Sequence, residues 1–252
     1  MPRANRHSFS GLVWHLTHRC HRKSFLLRFA RDRRRWRHWL FEAKKRYRLC
    51  VLNYIVTCNH VHLLVRDRGR NEISASMQLI ASRVAQEFNT RKNRRGAFWE
   101  DRYHATAVQT DDHLIRCLVY VDLNMVRAGA VRHPRDWPDS GYHEIQNQPL
   151  RRRIVDHSAL MALTGLQSQL HLRQVHADWV DTSLSDGVLH RQPCWTDSVA
   201  VGDQEFLQHV KRRIGAAAKH RSIRRHTNAR ALHEPDSPYE AVFGAKNVRL
   251  SG

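Results

Sequence analysis

The stretch Leu49-Cys50-Val51-Leu52-Asn53-Tyr54-Ile55-Val56-Thr57-Cys58-Asn59-His60-Val61-His62-Leu63-Leu64-Val65-Arg66 says more about the fold than any other part of the chain. Leu49 to Val56 is rich in β-formers, and His60 to Arg66 reads as a second strand. Only Thr57, Cys58 and Asn59 separate the two, a connection short enough to force an antiparallel hairpin. Upstream, Gly11 to Thr17 also reads as a strand, with Leu12, Trp14 and Leu16 alternating against Val13 and His15. Between it and the hairpin lies a basic segment in which Trp36, Leu40 and Ala43 recur at helical spacing. After the hairpin, Ile73, Met77, Ile80, Ala81, Val84 and Phe88 form the apolar stripe of an amphipathic helix of about five turns. Arg91 to Gly96 ends it, and Tyr103 to Gln109 supplies a fourth strand. Thr110, Asp111 and Asp112 offer N-cap chemistry for a helix from His113 to Arg127, which Gly129 stops.

The order β-α-β-β-α-β predicts an α+β fold of ferredoxin-like type, an antiparallel sheet with helices on one face, followed by a further helix. Sequence becomes irregular from Pro134 to Pro149. The remainder reads as mainly helical with short strands, and a helix marked by Phe206, Val210 and Ile214 is crowded by Lys211, Arg212 and Arg213. The expected division is a flexible basic tail at 1–10, a domain at 11–133 and a basic, mainly helical extension at 134–252.

Lys and Arg total 43 against 23 acids in 252 residues, a formal net charge of +20. Such an excess repels itself unless it faces a polyanion, so nucleic acid is the first partner to consider. A ribosomal protein or one bound to an anionic membrane would share the composition. The five cysteines are odd in number and lack a C-x-x-C pair, which points to free thiols in a reducing cytoplasm. Met1 to Ser10 has no apolar segment behind it that would make a signal peptide, and no run of about 18 apolar residues exists. A cytoplasmic, nucleoid-associated protein is the expectation.

Two constellations carry chemistry. In His60-Val61-His62 strand alternation projects both imidazoles from one face, where they can grip a divalent ion. A pair of surface histidines is the competing reading in a chain with 19 of them. In the helix beginning at His113, Leu114, Leu118, Val121 and Met125 make the buried stripe, while His113, Arg116, Tyr120, Asn124 and Arg127 share a different face. Tyr120 and Asn124 stand one turn apart, a phenol beside an amide. Tyr120 can equally be read as a core tyrosine with a wet hydroxyl.

The segment Asn59-His60-Val61-His62-Leu63-Leu64-Val65 resembles the His-hydrophobic-His (HUH) strand of the single-tyrosine transposases of small bacterial insertion sequences. Tyr120-Val121-Asp122-Leu123-Asn124 with Met125-Val126-Arg127-Ala128-Gly129 resembles their nucleophile helix. Gly96-Ala97-Phe98-Trp99-Glu100-Asp101-Arg102-Tyr103 and Met77-Gln78 match as well. The similarity is strongest to the REP-associated tyrosine transposases. It covers residues 10–145 well and is fainter beyond, at Trp195 to Phe206 and at Leu232-His233-Glu234-Pro235 near Tyr239. Asn124 stands where insertion-sequence enzymes usually carry Gln, and Met125 where most relatives have Pro.

The resemblance implies a metal-dependent single-stranded DNA endonuclease and strand transferase acting at hairpin or palindromic repeats. Tyr120 would be the nucleophile and form a 5′-phosphotyrosine, and His60, His62 and Asn124 would hold Mg²⁺ or Mn²⁺. Arg33, Arg34, Arg35, Arg102, Arg116, Arg127, Lys211, Arg212 and Arg213 are the candidate DNA contacts, and Trp14, Trp36, Trp39 and Trp99 could stack on unpaired bases. Relatives act as monomers or homodimers; no small-molecule cofactor or membrane is expected. A non-catalytic DNA-binding regulator on the same fold is the alternative. A zinc protein using Cys58, His60 and His62 is a weaker one, because structural zinc needs four ordered ligands.

Overall fold

The hairpin is present: β2 (Cys50–Val56) pairs antiparallel with β3 (His60–Arg66) in the computed structural model, which describes residues 9–187, 190–219, 221–226 and 229–234. Residues 1–8 of the expected tail, and Pro235 and Tyr239 of the fainter similarity, lie outside the described residues. On the other side of β3 runs β1 (Val13–Arg19), and beyond it β4 (His104–Val108), both antiparallel to their neighbours. The order β2-β3-β1-β4, with α1 (Ala30–Tyr47) joining β1 to β2 and α2 (Glu72–Arg91) joining β3 to β4, is the ferredoxin-like arrangement. Trp36, Leu40 and Ala43 of α1 and Ile73, Met77, Ile80, Val84 and Phe88 of α2 are buried, as their spacing required.

Register then sorts the side chains. Residues opposite each other in an antiparallel pair share a face. Thr17 faces His62 and His104, and His15 faces Leu64 and Thr106, so His15, Thr17, His60, His62, His104 and Thr106 all lie on one side. Trp14, Leu16, Val61 and Leu63 lie on the other. His18, from that second set, stacks on Trp99, whose Nε1 donates to the Ala81 carbonyl of α2. The histidine face is therefore the one turned away from α2.

α3 (Asp112–Asp122) covers the histidine face, packing across β2, β3 and β4. Asp111 caps it, accepting from the His113 amide at 2.9 Å. Its stripe Leu114, Leu118, Val121 and Met125 is buried as expected, but the helix does not run unbroken to Arg127. Leu123 leaves helical geometry at φ −76°, ψ 2°, and a short turn, α4 (Asn124–Arg127), comes next. Tyr120 and Asn124 thus sit on opposite sides of a break. Gly129, at φ 67°, ends the segment in the left-handed region that glycine tolerates best.

The C-terminal half contributes α5 (Tyr142–Gln146), α6 (His157–Thr164), α7 (Gln169–Ser185), α8 (Cys194–Asp197) and α9 (Gln204–Ile214). Its short strands join the same sheet, a placement that sequence patterning did not give. β5 (Ser198–Gly202) runs parallel to β4, β7 (Arg230–His233) antiparallel to β5, and β6 (Ser222–Arg225) antiparallel to β7. α7 also packs against α3 from the side away from the sheet. The His176 imidazole of α7 donates Nε2–H to Asp122 at 2.8 Å, and Asp122 accepts from Asn53 of β2 at 2.9 Å. All three side chains are buried. The five cysteines are free thiols, and no described helix is long and apolar enough to cross a membrane.

Candidate active site

His60, His62, Tyr120 and Asn124 converge on one cleft of about 590 Å³. The His60 and His62 ring centroids are 4.9 Å apart, and the Tyr120 ring meets His62 edge-on at 6.0 Å. Asn124 places Nδ2 2.9 Å from His62 Nε2. The break at Leu123 does not separate phenol from amide, because both turn inward to the same strand end.

Hydrogen-bond polarity tests whether these residues suit a cation. Asn59 donates its Nδ2–H to the Lys23 carbonyl at 3.1 Å, which leaves its Oδ1 as the group 2.7 Å from His60 Nδ1. An amide oxygen only accepts, so His60 Nδ1 carries the proton and Nε2 carries a lone pair. At His62, an amide nitrogen that only donates stands against Nε2, which therefore also carries a lone pair. Burial first, and then the neighbouring Arg19 and Arg127, push His60 down to about 4; burial and His60 itself hold His62 well below the usual histidine range. Two neutral imidazoles with bare nitrogens and one amide fit a divalent ion that keeps several waters. Among the described residues no cluster of three or more His, Cys, Asp or Glu side chains is arranged to hold a metal. That counts against the Cys58, His60, His62 zinc reading and leaves Asn124 as the third candidate ligand, through its Oδ1.

Tyr120 is 6% exposed. Burial raises its phenol above the ordinary range, and Arg127 opposes that rise. The Arg127 guanidinium lies 3.9 Å from the Tyr120 ring centre and donates to the Tyr120 carbonyl at 2.6 Å. Trp195 approaches the ring from the C-terminal half, at 6.2 Å. Tyr120 and Arg127 also line a second cleft of about 410 Å³, together with Arg116, Trp179 and Arg191. The Tyr120 face of α3 is thus also bordered by Trp179, Arg191 and Trp195 of the C-terminal half, which the helical periodicity of α3 alone could not reveal.

The candidate DNA contacts divide. Arg102 lines the cleft with His60 and His62, and Arg127 borders it. Arg34 and Arg116 are exposed. Arg33 does not face solvent, correcting its assignment to a DNA-facing patch: it is 7% exposed, donates Nε–H to Asp139 at 2.6 Å and covers the Trp137 ring. Its position on α1 points it back at the segment after α4. Arg35 is held by both oxygens of Glu87, at 2.7 and 2.6 Å. Lys211, Arg212 and Arg213 do not line the cleft, and Arg213 lies over Phe9. Trp14 and Trp36 are buried in the core and cannot stack on bases; Trp39 and Trp99 are half-buried and donate to Glu87 and Ala81. Arg19, Lys23, His104 and Arg191 line the cleft and were missed. Strand phase signals Arg19 and His104, since each lies on the histidine face once β1, β3 and β4 are paired. Nothing local signals Arg191.

An antiparallel sheet with two histidines on one strand and a tyrosine helix across them defines an α+β protein with a polar cleft at its sheet face. Residues 8–124 match the family model described as "Transposase IS200 like". Among solved structures, one described as a REP-associated tyrosine transposase bound to a REP hairpin is similar at 21% identity with a TM-score of 0.49, over 63% of this chain and 96% of that one. No curated protein is similar enough to count as a match.

Proposed function

We propose that the protein is a transposase-like, metal-dependent endonuclease and strand transferase for single-stranded DNA, of the REP-associated kind, acting at or near hairpin or palindromic repeats. The observation that carries this reading is the meeting of Tyr120, His60, His62 and Asn124 in one cleft, within a segment that matches a transposase family. A divalent ion, Mg²⁺ or Mn²⁺, on His60, His62 and Asn124 would supply Lewis-acid neutralisation of charge on the scissile phosphate. Tyr120 Oη attacks phosphorus, the bond to the 3′-oxygen breaks, and the phenol proton ends on the leaving 3′-hydroxyl. The 5′-phosphotyrosine conserves the phosphodiester bond energy, so another 3′-hydroxyl can reverse the step and join strands without a nucleotide cofactor. Arg127 steadies the phenolate as it forms, and the low-lying imidazoles stay neutral at physiological pH.

Phosphate contacts fall to the cations around the cleft, Arg19, Lys23, Arg102 and Arg191, and to exposed Arg34 and Arg116. Lys211, Arg212 and Arg213 remain candidates for DNA lying outside the cleft. A cytoplasmic, nucleoid-associated protein working as monomer or homodimer fits this role. The burial of Tyr120 favours one other reading, a DNA-binding regulator that keeps the fold without the chemistry. The separating experiment incubates end-labelled hairpin oligonucleotides with Mg²⁺ or Mn²⁺ and resolves the products on a denaturing gel. Cleaved, protein-linked DNA with wild type and none with Tyr120→Phe is the expected result; binding without cleavage across hairpins and metals would establish the regulator.

A further inference from the structure

His15 of β1 contacts His62 but belongs to neither the histidine-strand motif nor the tyrosine-helix motif. It is fully buried. Its Nδ1 lies 2.8 Å from the Trp195 carbonyl and its Nε2 lies 2.9 Å from His62 Nδ1. The two ring planes are within 7° of each other, with centroids 5.0 Å apart. Parallel planes whose centroids are much farther apart than their facing nitrogens place the rings edge to edge, so an N–H on one points along the lone pair of the other.

The direction of each bond is set by the chemistry of its groups. A carbonyl oxygen only accepts, so His15 Nδ1 must carry a proton. A second proton on His15 would put an uncompensated cation in a buried site shared with Arg127 and the other histidines. Neutral His15 then has a lone pair on Nε2, and His62 Nδ1–H must donate to it. That leaves His62 Nε2 bare and facing Asn124. The chain of donation runs from His62 through His15 to Trp195, a residue of the C-terminal half. The Thr106 hydroxyl of β4 donates to the Ser198 carbonyl at 2.7 Å and lies 3.2 Å from the Trp195 carbonyl, which holds this segment against the sheet.

We propose that His15 is a positioning residue that fixes the tautomer of His62, presenting its Nε2 lone pair to the catalytic cation, and that the Trp195 carbonyl sets the polarity of the pair. This rests on the cation-dependent reading of the site. It also gives Trp195 of the C-terminal half a direct part in the chemistry: its backbone carbonyl orients a ligand on a strand far away in sequence. Outer partners of this kind are worth about 10- to 100-fold in metal affinity.

The test uses the full-length protein without metal. Two-bond ¹⁵N–¹H correlation spectra report which nitrogen of each histidine is protonated, and Mn²⁺ titration followed by electron paramagnetic resonance reports affinity. His15→Gln can accept from His62 through Oε1 and donate to Trp195 through Nε2–H; His15→Leu can do neither. The expected result is His62 protonated on Nδ1 in wild type and His15→Gln, with mixed tautomers and Mn²⁺ binding weakened about 10- to 100-fold in His15→Leu. A wild-type His62 protonated on Nε2 would overturn the proposal, and this measurement needs no variant. So would a folded His15→Leu with unchanged tautomer and affinity. A wild type with the expected tautomer but no Mn²⁺ binding would uphold the role of His15 in setting the tautomer, and would refute the cation-dependent reading and the ligand role of His62 instead.

Discussion

Arg127 grips Tyr120 twice, its guanidinium 3.9 Å from the ring centre and one N–H on the tyrosine's own carbonyl at 2.6 Å. The second contact spans the break at Leu123 and ties the turn carrying Asn124 to the helix carrying the phenol. The first places a cation over the phenol ring, where it would steady a phenolate in the proposed reaction.

Arg127→Ala should therefore slow cleavage by about 10²-fold, the usual cost of losing one preorganised charge-stabilising group. The sign on pH is fixed by the direction of the shift. Burial raises the Tyr120 phenol and Arg127 lowers it, so removing Arg127 moves the rate profile to higher pH. Arg127→Lys, which keeps charge but loses the planar double contact, should fall between the two. Single-turnover cleavage measured against pH checks all three.

His176 and Asp122 make a buried pair behind the same helix, and Asp122 has Asn53 as its other side-chain partner. Replacing His176 with Leu leaves a buried carboxylate short of a donor. The expected loss is about 3–5 kcal/mol of stability, read from urea unfolding. A small loss would mean that α7 merely rests on α3.

The sheet domain was legible because its signals are local. The three-residue connection between Val56 and His60 and the spacing of Ile73 to Phe88 each fix an element without reference to the rest of the chain. Pairing His60 with His62 needed only strand alternation. Arg33 misled because a run of arginines says nothing about which one turns inward; Asp139 decides that from more than a hundred residues away. His15, Arg191 and Trp195 were invisible for the same reason. Their roles depend on β5 and α8 docking against β4, a parallel pairing of Ala107 with Ala200 that no periodicity encodes.

Acid should weaken the fold through the buried histidines of the site. His15 and His60 lie at about 4 when folded, against about 6.5 in an unfolded chain. As pH falls below 6.5 the unfolded chain takes up these protons first, so stability is lost progressively from pH 6.5 to pH 4; above 6.5 these groups contribute no pH dependence. Denaturation midpoints across that range should show the decline, and His15→Gln should flatten it. An equally steep decline in His15→Gln would place its source in other groups.

The proposed mechanism turns on one bond, between Tyr120 Oη and a DNA phosphorus. Peptide mass spectrometry reads that bond after incubation with a hairpin oligonucleotide and Mn²⁺, followed by nuclease and protease digestion. The expected product is a nucleotide attached to the peptide containing Tyr120, and to no other tyrosine. Tyr54, buried and donating to Glu144, and Tyr103, also buried, should stay unmodified. DNA cut with the nucleotide on another residue, or cut with no protein adduct at all, would contradict it.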